Sequence, residues 1–192
     1  PFATQNPKDF NNLLSVYLDA VFFSRLDPLD FAQEGHRIEL ASDEADAPLV
    51  YKGVVFNEMK GAMSSISSVL WDRLCFELFP TNTYHHNSGG DPEAIPDLSY
   101  EQLLSFYRGH YHPSNAILLT FGNLPVSQHH DVFEREALSR FERSPEQIEV
   151  VPETPFDSPK RAHHHYAIED AEQRLYLLRR CKARVSERAR YF

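Results

Sequence analysis

The sequence predicts an α+β fold, because strongly amphipathic helical segments alternate with a few short strands. The first helical segment has apolar residues at spacings of three and four, from Phe10 to Phe22. A later segment, 37–40, instead alternates charged and apolar side chains, which is typical of a strand. With 192 residues, 42% of them hydrophobic, the chain is long enough to bury a core.

Two helix starts are marked by capping sequences. Asn6 is followed by Pro7, which predicts a helix with asparagine as N-cap and proline at its first position. Pro28 marks the exit from this helix. Ser99 and Gln102 have the spacing of a capping box and predict a later helix that ends near His110.

The other elements follow from periodicity and from the residues that break it. We expect a short strand over Gln33–Leu40, an acidic connector over 41–48, and a long ordered loop from Thr81 to Pro96. The remaining predicted elements are helices at about Val69–Leu78 and Asp131–Phe141, and strands at Asn115–Phe121 and Gln147–Val151.

A carboxylate interrupts the apolar stripe of the segment between Tyr51 and Met63. At helical period Tyr51, Val54, Val55, Met59 and Ala62 share one face, and Glu58 lies inside it. We therefore expect Glu58 on a helix with its side chain directed into the domain. A buried carboxylate needs a cationic partner, a dense set of hydrogen bonds or a metal ion. The pattern leaves an ion pair with Arg or Lys and metal ligation both open.

The histidines do not show the spacing of a metal site. Glu34 and His36 share a face of the predicted strand, but structural or solvent-exposed roles are the better interpretation. The same holds for the adjacent loop histidines His85 and His86, and for His110 and His112 at a helix C-terminus. It also holds for His163 to His165, because three consecutive residues cannot all face one ion.

The charge is negative overall and unevenly distributed. The net charge is −9. Before Arg174 there are 12 basic and 27 acidic residues, whereas the segment from Arg174 to Phe192 has 7 basic residues and one acidic residue. An acidic body argues against nucleic-acid binding and attracts basic peptides. Cys75 and Cys181 are too few for a disulfide framework, and no apolar run approaches the length of a membrane helix.

Four stretches carry a resemblance to a known family. They are YKGVVFNEMKGAMSS (51–65), Phe10–Phe23 with DFAQEGHR (30–37), YHHNSGGDPEAIPDLSYEQLL (84–104) and YRGHYHPSNAILLTFGNL (107–124). In this order they resemble the pitrilysin (insulinase) family of inverted zincins, and within it the presequence-protease and falcilysin branch. The resemblance extends from about Pro1 to about Glu172. It implies an antiparallel sheet backed by helices, as part of a metallohydrolase domain like that of mitochondrial processing peptidase.

The resemblance also implies a chemistry. Glu58 matches the distal glutamate that binds zinc in this family, where two histidines of an upstream H-x-x-E-H helix complete the ligand set. No H-x-x-E-H occurs in the 192 residues. We therefore expect an internal fragment of a zinc metalloendopeptidase that degrades short unstructured peptides in a closed chamber, with no activity alone and weak or absent zinc binding. The alternative is a catalytically inactive scaffold or interaction module.

The same resemblance suggests an organisation and a set of partners. We expect a partial catalytic-type domain over 1–151, a proline-containing linker over 152–173, and a basic tail over 174–192 outside the resemblance. The expected partners are extended peptides, the remainder of the catalytic domain and a second homologous half, with no nucleic acid and no membrane. The expected location is the bacterial cytoplasm or, alternatively, an organellar matrix, as a soluble protein.

Overall fold

The computed structural model describes residues 1–145 and 148–166. Its regular elements are helices α1 (Pro7–Phe22) and α2 (Pro28–Asp30), strands β1 (Arg37–Leu40) and β2 (Leu49–Lys52), and helices α3 (Val54–Ala62), α4 (Ile66–Leu78), α5 (Tyr100–His110) and α6 (Val126–Glu136). A π-helical turn continues α2, and four 3₁₀ turns complete the set: Phe31–Gly35, Thr83–His85, Ile95–Asp97, Pro113–Asn115 and Leu138–Arg140. This mixture confirms the predicted α+β class.

The chain divides into two compact units. Of the described residues, the first contains those within Pro1–Gly61 and Gly89–Glu149, and the second contains Ala62–Ser88 and residues 150–166. The buried core of the first unit lies between α1 and α6. Its members are Leu14, Leu18 and Phe22 from α1, Val132 and Phe133 from α6, and the adjoining Ala137.

The ends of α1 are closed by hydrogen bonds. At its start the Asn6 side chain accepts from the backbone N–H groups of Lys8 and Asp9, which confirms the predicted cap. At its end the Tyr107 hydroxyl donates to the carbonyl of Val21 at 2.8 Å and accepts from the N–H of Ser24 at 3.0 Å. A side chain from α5 therefore satisfies a carbonyl group that the helix terminus leaves unpaired, together with an N–H group just beyond the helix.

The α5 helix begins as the sequence predicts. The Ser99 side chain accepts from the N–H of Gln102, and the Gln102 side chain accepts from the N–H of Ser99 at 2.7 Å. This reciprocal capping box fixes the start of α5 at Tyr100, immediately after the cap.

The sheet of the described residues is a two-stranded antiparallel hairpin. Ile38 pairs with Tyr51 and Leu40 pairs with Leu49, and since successive side chains alternate, these four apolar residues share one face. All four are exposed. On the other face Glu39 forms ion pairs with Arg37 and Lys52. The hairpin is therefore apolar on one side and charged on the other.

Three predicted strands differ from the structure. The strand expected over Gln33–Leu40 begins only at Arg37, because Phe31–Gly35 forms a helical turn. The segments expected as strands at Asn115–Phe121 and Gln147–Val151 are not strands in the part of the chain that the structure describes. Ile117 is 95% exposed there. The residue patterns predicted an extended backbone, but a strand also needs a hydrogen-bonded neighbour.

Helix boundaries also shift. The helix expected from Val69 begins three residues earlier at Ile66 and ends at Leu78 as predicted. The helix expected over Asp131–Phe141 begins at Val126 and gives way to a 3₁₀ turn after Glu136.

In the second unit the irregular segment 150–166 lies against α4 and the turn that follows α4. Glu153 is buried and accepts from the N–H and the hydroxyl of Thr81, at 2.9 and 2.8 Å. Lys160 and His164 both contact Glu77, at 2.6 and 3.0 Å. The hydrogen bond from Lys160 is the main reason that the pKa of Glu77 lies below its ordinary value.

Candidate functional site

The structure places Glu58 on α3, as the sequence predicts, but not facing inward. Its side chain is exposed, and none of the residues of α3 is buried. The expectation of an inward carboxylate is therefore wrong for this structure. The stripe that motivated it is split between two elements, because Tyr51 lies on β2 and the helix begins only at Val54.

Several apolar residues of α3 are exposed along with Glu58, and its others, Phe56 and Met59, are half-buried. Val54 is 50% exposed and Val55 is only a little less so. A helix normally buries an apolar stripe against another element, and the residues that the structure describes leave most of this one exposed. Glu58 therefore lies at an accessible position beside apolar side chains.

Glu58 has no ion-pair partner among residues 1–145 and 148–166. The five ion pairs found there involve other acidic groups, namely Glu39, Glu77 and Glu136. The ion-pair interpretation that the sequence left open therefore has no support in the described residues. A carboxylate that is exposed and unpaired in this way is available to a cation from outside these residues.

The candidate histidines form structural contacts, mostly to backbone groups. His36 Nε2 lies 2.8 Å from the carbonyl oxygen of Leu98, and His85 Nδ1 lies 3.1 Å from that of Phe76. At the end of α5, His110 Nδ1 lies 2.9 Å from the carbonyl oxygen of Phe106. His112 caps the next turn by accepting from the N–H of Ser114 at 3.1 Å. These contacts agree with the structural roles predicted from sequence.

The described residues do not by themselves fit a zinc ion. Zinc in proteins takes three or four nitrogen, sulfur or oxygen ligands. Within the described ranges, no group of three or more His, Cys, Asp or Glu side chains could hold a metal ion. Glu58 could supply one oxygen ligand, and the remaining ligands would have to come from elsewhere.

Sequence reasoning missed the contacts that hold the start of α3. Gly53 is buried immediately before this helix, and a Cβ atom there would overlap the carbonyl oxygen of Gly35. The only sequence signal is a glycine at the junction between a strand and a helix, which is compatible with a close backbone approach. The partner of Gly53 could not be read from the sequence.

Comparison with known proteins gives a consistent assignment. A family model described as "Peptidase M16 inactive domain" matches residues 97–184. The mitochondrial presequence protease of Danio rerio is 53% identical over 85% of this chain, and that of Schizosaccharomyces pombe is 50% identical over 66%. Protein HypA of Clostridium perfringens is 37% identical over 90% of the chain.

The matched region is a small part of these relatives. The chain spans 16% of the length of the Danio rerio protein and 18% of that of HypA. No helix in the described ranges is long and apolar enough to cross a membrane. The order of the matching stretches, the family model and the identity to several presequence proteases lead to one conclusion: the chain belongs to the pitrilysin (M16) family of metallopeptidases, on its presequence-protease branch.

Proposed function

We propose that this chain is part of a zinc metalloendopeptidase that degrades short unstructured peptides, and that it contributes the distal glutamate ligand, Glu58. The observation that carries the proposal is the position and exposure of this carboxylate. It lies on a helix in the family's N-E-M-K-G sequence, is exposed, and has no ion-pair partner among the described residues.

The proposal assigns the other parts of the site to the remainder of the catalytic domain. A single carboxylate binds zinc weakly in water, so we expect the 192-residue chain to be inactive alone. The upstream H-x-x-E-H element of the complete enzyme would provide two imidazoles. The uncovered apolar residues beside Glu58 support a role for α3 as an element that packs against further protein.

The partners and location follow from the relatives and from charge. Several relatives are named as mitochondrial presequence proteases, so we propose an organellar location and peptide substrates of the targeting type. The excess of acidic residues before Arg174 favours basic peptides. A second homologous half and the division into 1–151, 152–173 and 174–192 remain part of the proposal.

A chimera tests the proposed function. This chain would replace the matching segment of the Danio rerio protein, which is 53% identical to it. We expect the chimera to cleave an unfolded basic peptide in a zinc-dependent reaction and Glu58→Gln to abolish most turnover. The matched control is Glu134→Gln on α6, which changes another exposed glutamate on a helix and should leave turnover unchanged.

The same chimera separates the alternative, a catalytically inactive scaffold with the family's fold. A folded chimera without peptide cleavage, assayed beside the active parent enzyme, would support the scaffold and contradict the proposed function. Equal turnover of the Glu58→Gln chimera and the unchanged chimera would contradict the assignment of Glu58.

A further inference from the structure

The junction between β2 and α3 is held by direct contact of two backbone segments. Gly53 lies between the strand and the helix, and a Cβ atom added to it would overlap the carbonyl of Gly35 and lie 2.8 Å from the Cα atom of His36. The N–H of Asn57, in the first turn of α3, donates to the carbonyl of Gly53 at 3.0 Å. The start of α3 therefore rests on the Gly35–His36 backbone.

The side chain of His36 ties this support to the start of α5. Its Nε2 atom lies 2.8 Å from the carbonyl oxygen of Leu98, which directly precedes the N-cap Ser99. A carbonyl only accepts, so Nε2 carries the hydrogen and donates it. The ring also packs edge-on against Phe31, with centroids 5.4 Å apart, and Phe31 lies 6.0 Å from the ring of Tyr100 in the first turn of α5.

These contacts matter because α3 has little else to hold it. None of its residues is buried, so its direction depends strongly on its first turn. Glu58 lies five residues beyond Gly53, about 7–8 Å along a helix that rises about 1.5 Å per residue. A small tilt at the junction therefore moves the carboxylate. Functional groups must be held within about 0.5 Å of their working position.

We propose that His36 is a positioning residue for the helix that carries Glu58. Its hydrogen bond to Leu98 fixes the Gly35–His36 backbone on the start of α5, and the contact with Gly53 transmits that position to α3. The importance of this position for catalysis rests on the proposed function of Glu58. The tether itself does not, because it consists only of contacts between residues of this chain.

Hydrogen–deuterium exchange of the full chain, measured by mass spectrometry, tests the tether. In His36→Ala we expect the amides of β1, β2 and α3 to exchange roughly five- to tenfold faster, because the lost hydrogen bond makes local opening easier. The amides of α1 and α6 should keep their exchange rates, since their core does not include His36. In His36→Gln, whose amide nitrogen can donate from a similar position, most of the protection of α3 should return.

Three outcomes would overturn the proposal. The first is unchanged exchange of α3 in His36→Ala. The second is an equal acceleration in α1 and α6, or global unfolding of His36→Ala, because His36 would then serve general stability. The third is a failure of His36→Gln to restore protection. The measurement uses no zinc, so it can succeed while the assignment of Glu58 as a ligand fails, or the reverse.

Discussion

Two regions of the first unit carry similar apolar stripes but treat them differently. The stripe of α1 is buried against α6, with Leu18 only 1% exposed. Most apolar residues of the β1–β2 hairpin and of α3 are exposed instead, and none of them is buried. Periodicity reports which residues share a face, and burial depends on whether another element covers that face. The α1–α6 region should therefore contribute most to the stability of the chain, and the hairpin–α3 region should contribute less.

The largest effect on stability should come from the core between α1 and α6. Leu18→Ala removes a fully buried side chain, and a substitution of this kind costs about 2–5 kcal/mol of unfolding free energy because it leaves a cavity. Leu29→Ala is the control, since Leu29 is 78% exposed. Urea unfolding of both variants measures the difference. Equal destabilisation by the two substitutions would contradict the expected role of the buried core.

The junction before α3 should be sensitive in spite of the exposed helix. Gly53→Ala forces a backbone shift, and overpacking of this kind typically costs about 1–3 kcal/mol. Gly61→Ala near the end of the same helix meets nothing within 4 Å. It should be neutral or stabilising by up to about 1 kcal/mol, because alanine favours helix more than glycine does. Thermal unfolding of the pair tests this, and a tolerated Gly53→Ala would contradict the close contact.

The end of α1 gives a smaller expected effect. Tyr107→Phe removes the hydroxyl that bonds to Val21 and Ser24 and should cost about 1–2 kcal/mol, since two partly buried backbone groups lose a partner. Tyr111→Phe is the matched control on an exposed ring of the same type. A loss in Tyr107→Phe no larger than that in Tyr111→Phe would show that the cap is unimportant.

The smallest effect concerns the charged face of the hairpin. Hydrogen bonds from Lys52 and Arg37 lower the pKa of Glu39, so its stabilising contribution is present above the ordinary pKa of glutamate and is lost as the pH falls through the lowered value. Glu39 is only half-buried and its partners are also partly in solvent, so the change should be small. Thermal unfolding of the chain and of Glu39→Gln between pH 7 and 3 should show a slightly weaker acid dependence in the variant. A stronger dependence in Glu39→Gln would contradict the assignment.

The predictable parts of the fold are those with a local cause. The caps at Asn6 and Ser99 depend on side chains that bond within three residues, and the helices they begin were found as expected. The strand at Asn115–Phe121 was not found, because its formation requires a neighbour that periodicity does not specify. Tyr51 was assigned to the wrong element for a related reason. Its spacing fits a helix, but the pairing with Ile38 places it in a strand.

The candidate site was predictable in the same partial way. The N-E-M-K-G sequence identified Glu58 and its helix, but not its exposure or the absence of an ion pair among the described residues. The support proposed for α3 depends on the hydrogen bond between His36 and Leu98, which lie 62 positions apart. Neither the spacing of the histidines nor a local sequence pattern predicts that contact.

The most direct test of the central claim is the Glu58→Gln variant of the chimera, in which zinc affinity and the melting temperature of the metal-free protein are measured together. If Glu58 is a ligand, zinc affinity should fall at least about tenfold, because zinc loses an anionic oxygen ligand. The metal-free melting temperature should change little, since the carboxylate is exposed. Unchanged zinc affinity with a large loss of metal-free stability would contradict the account and identify Glu58 as an ion-pair partner.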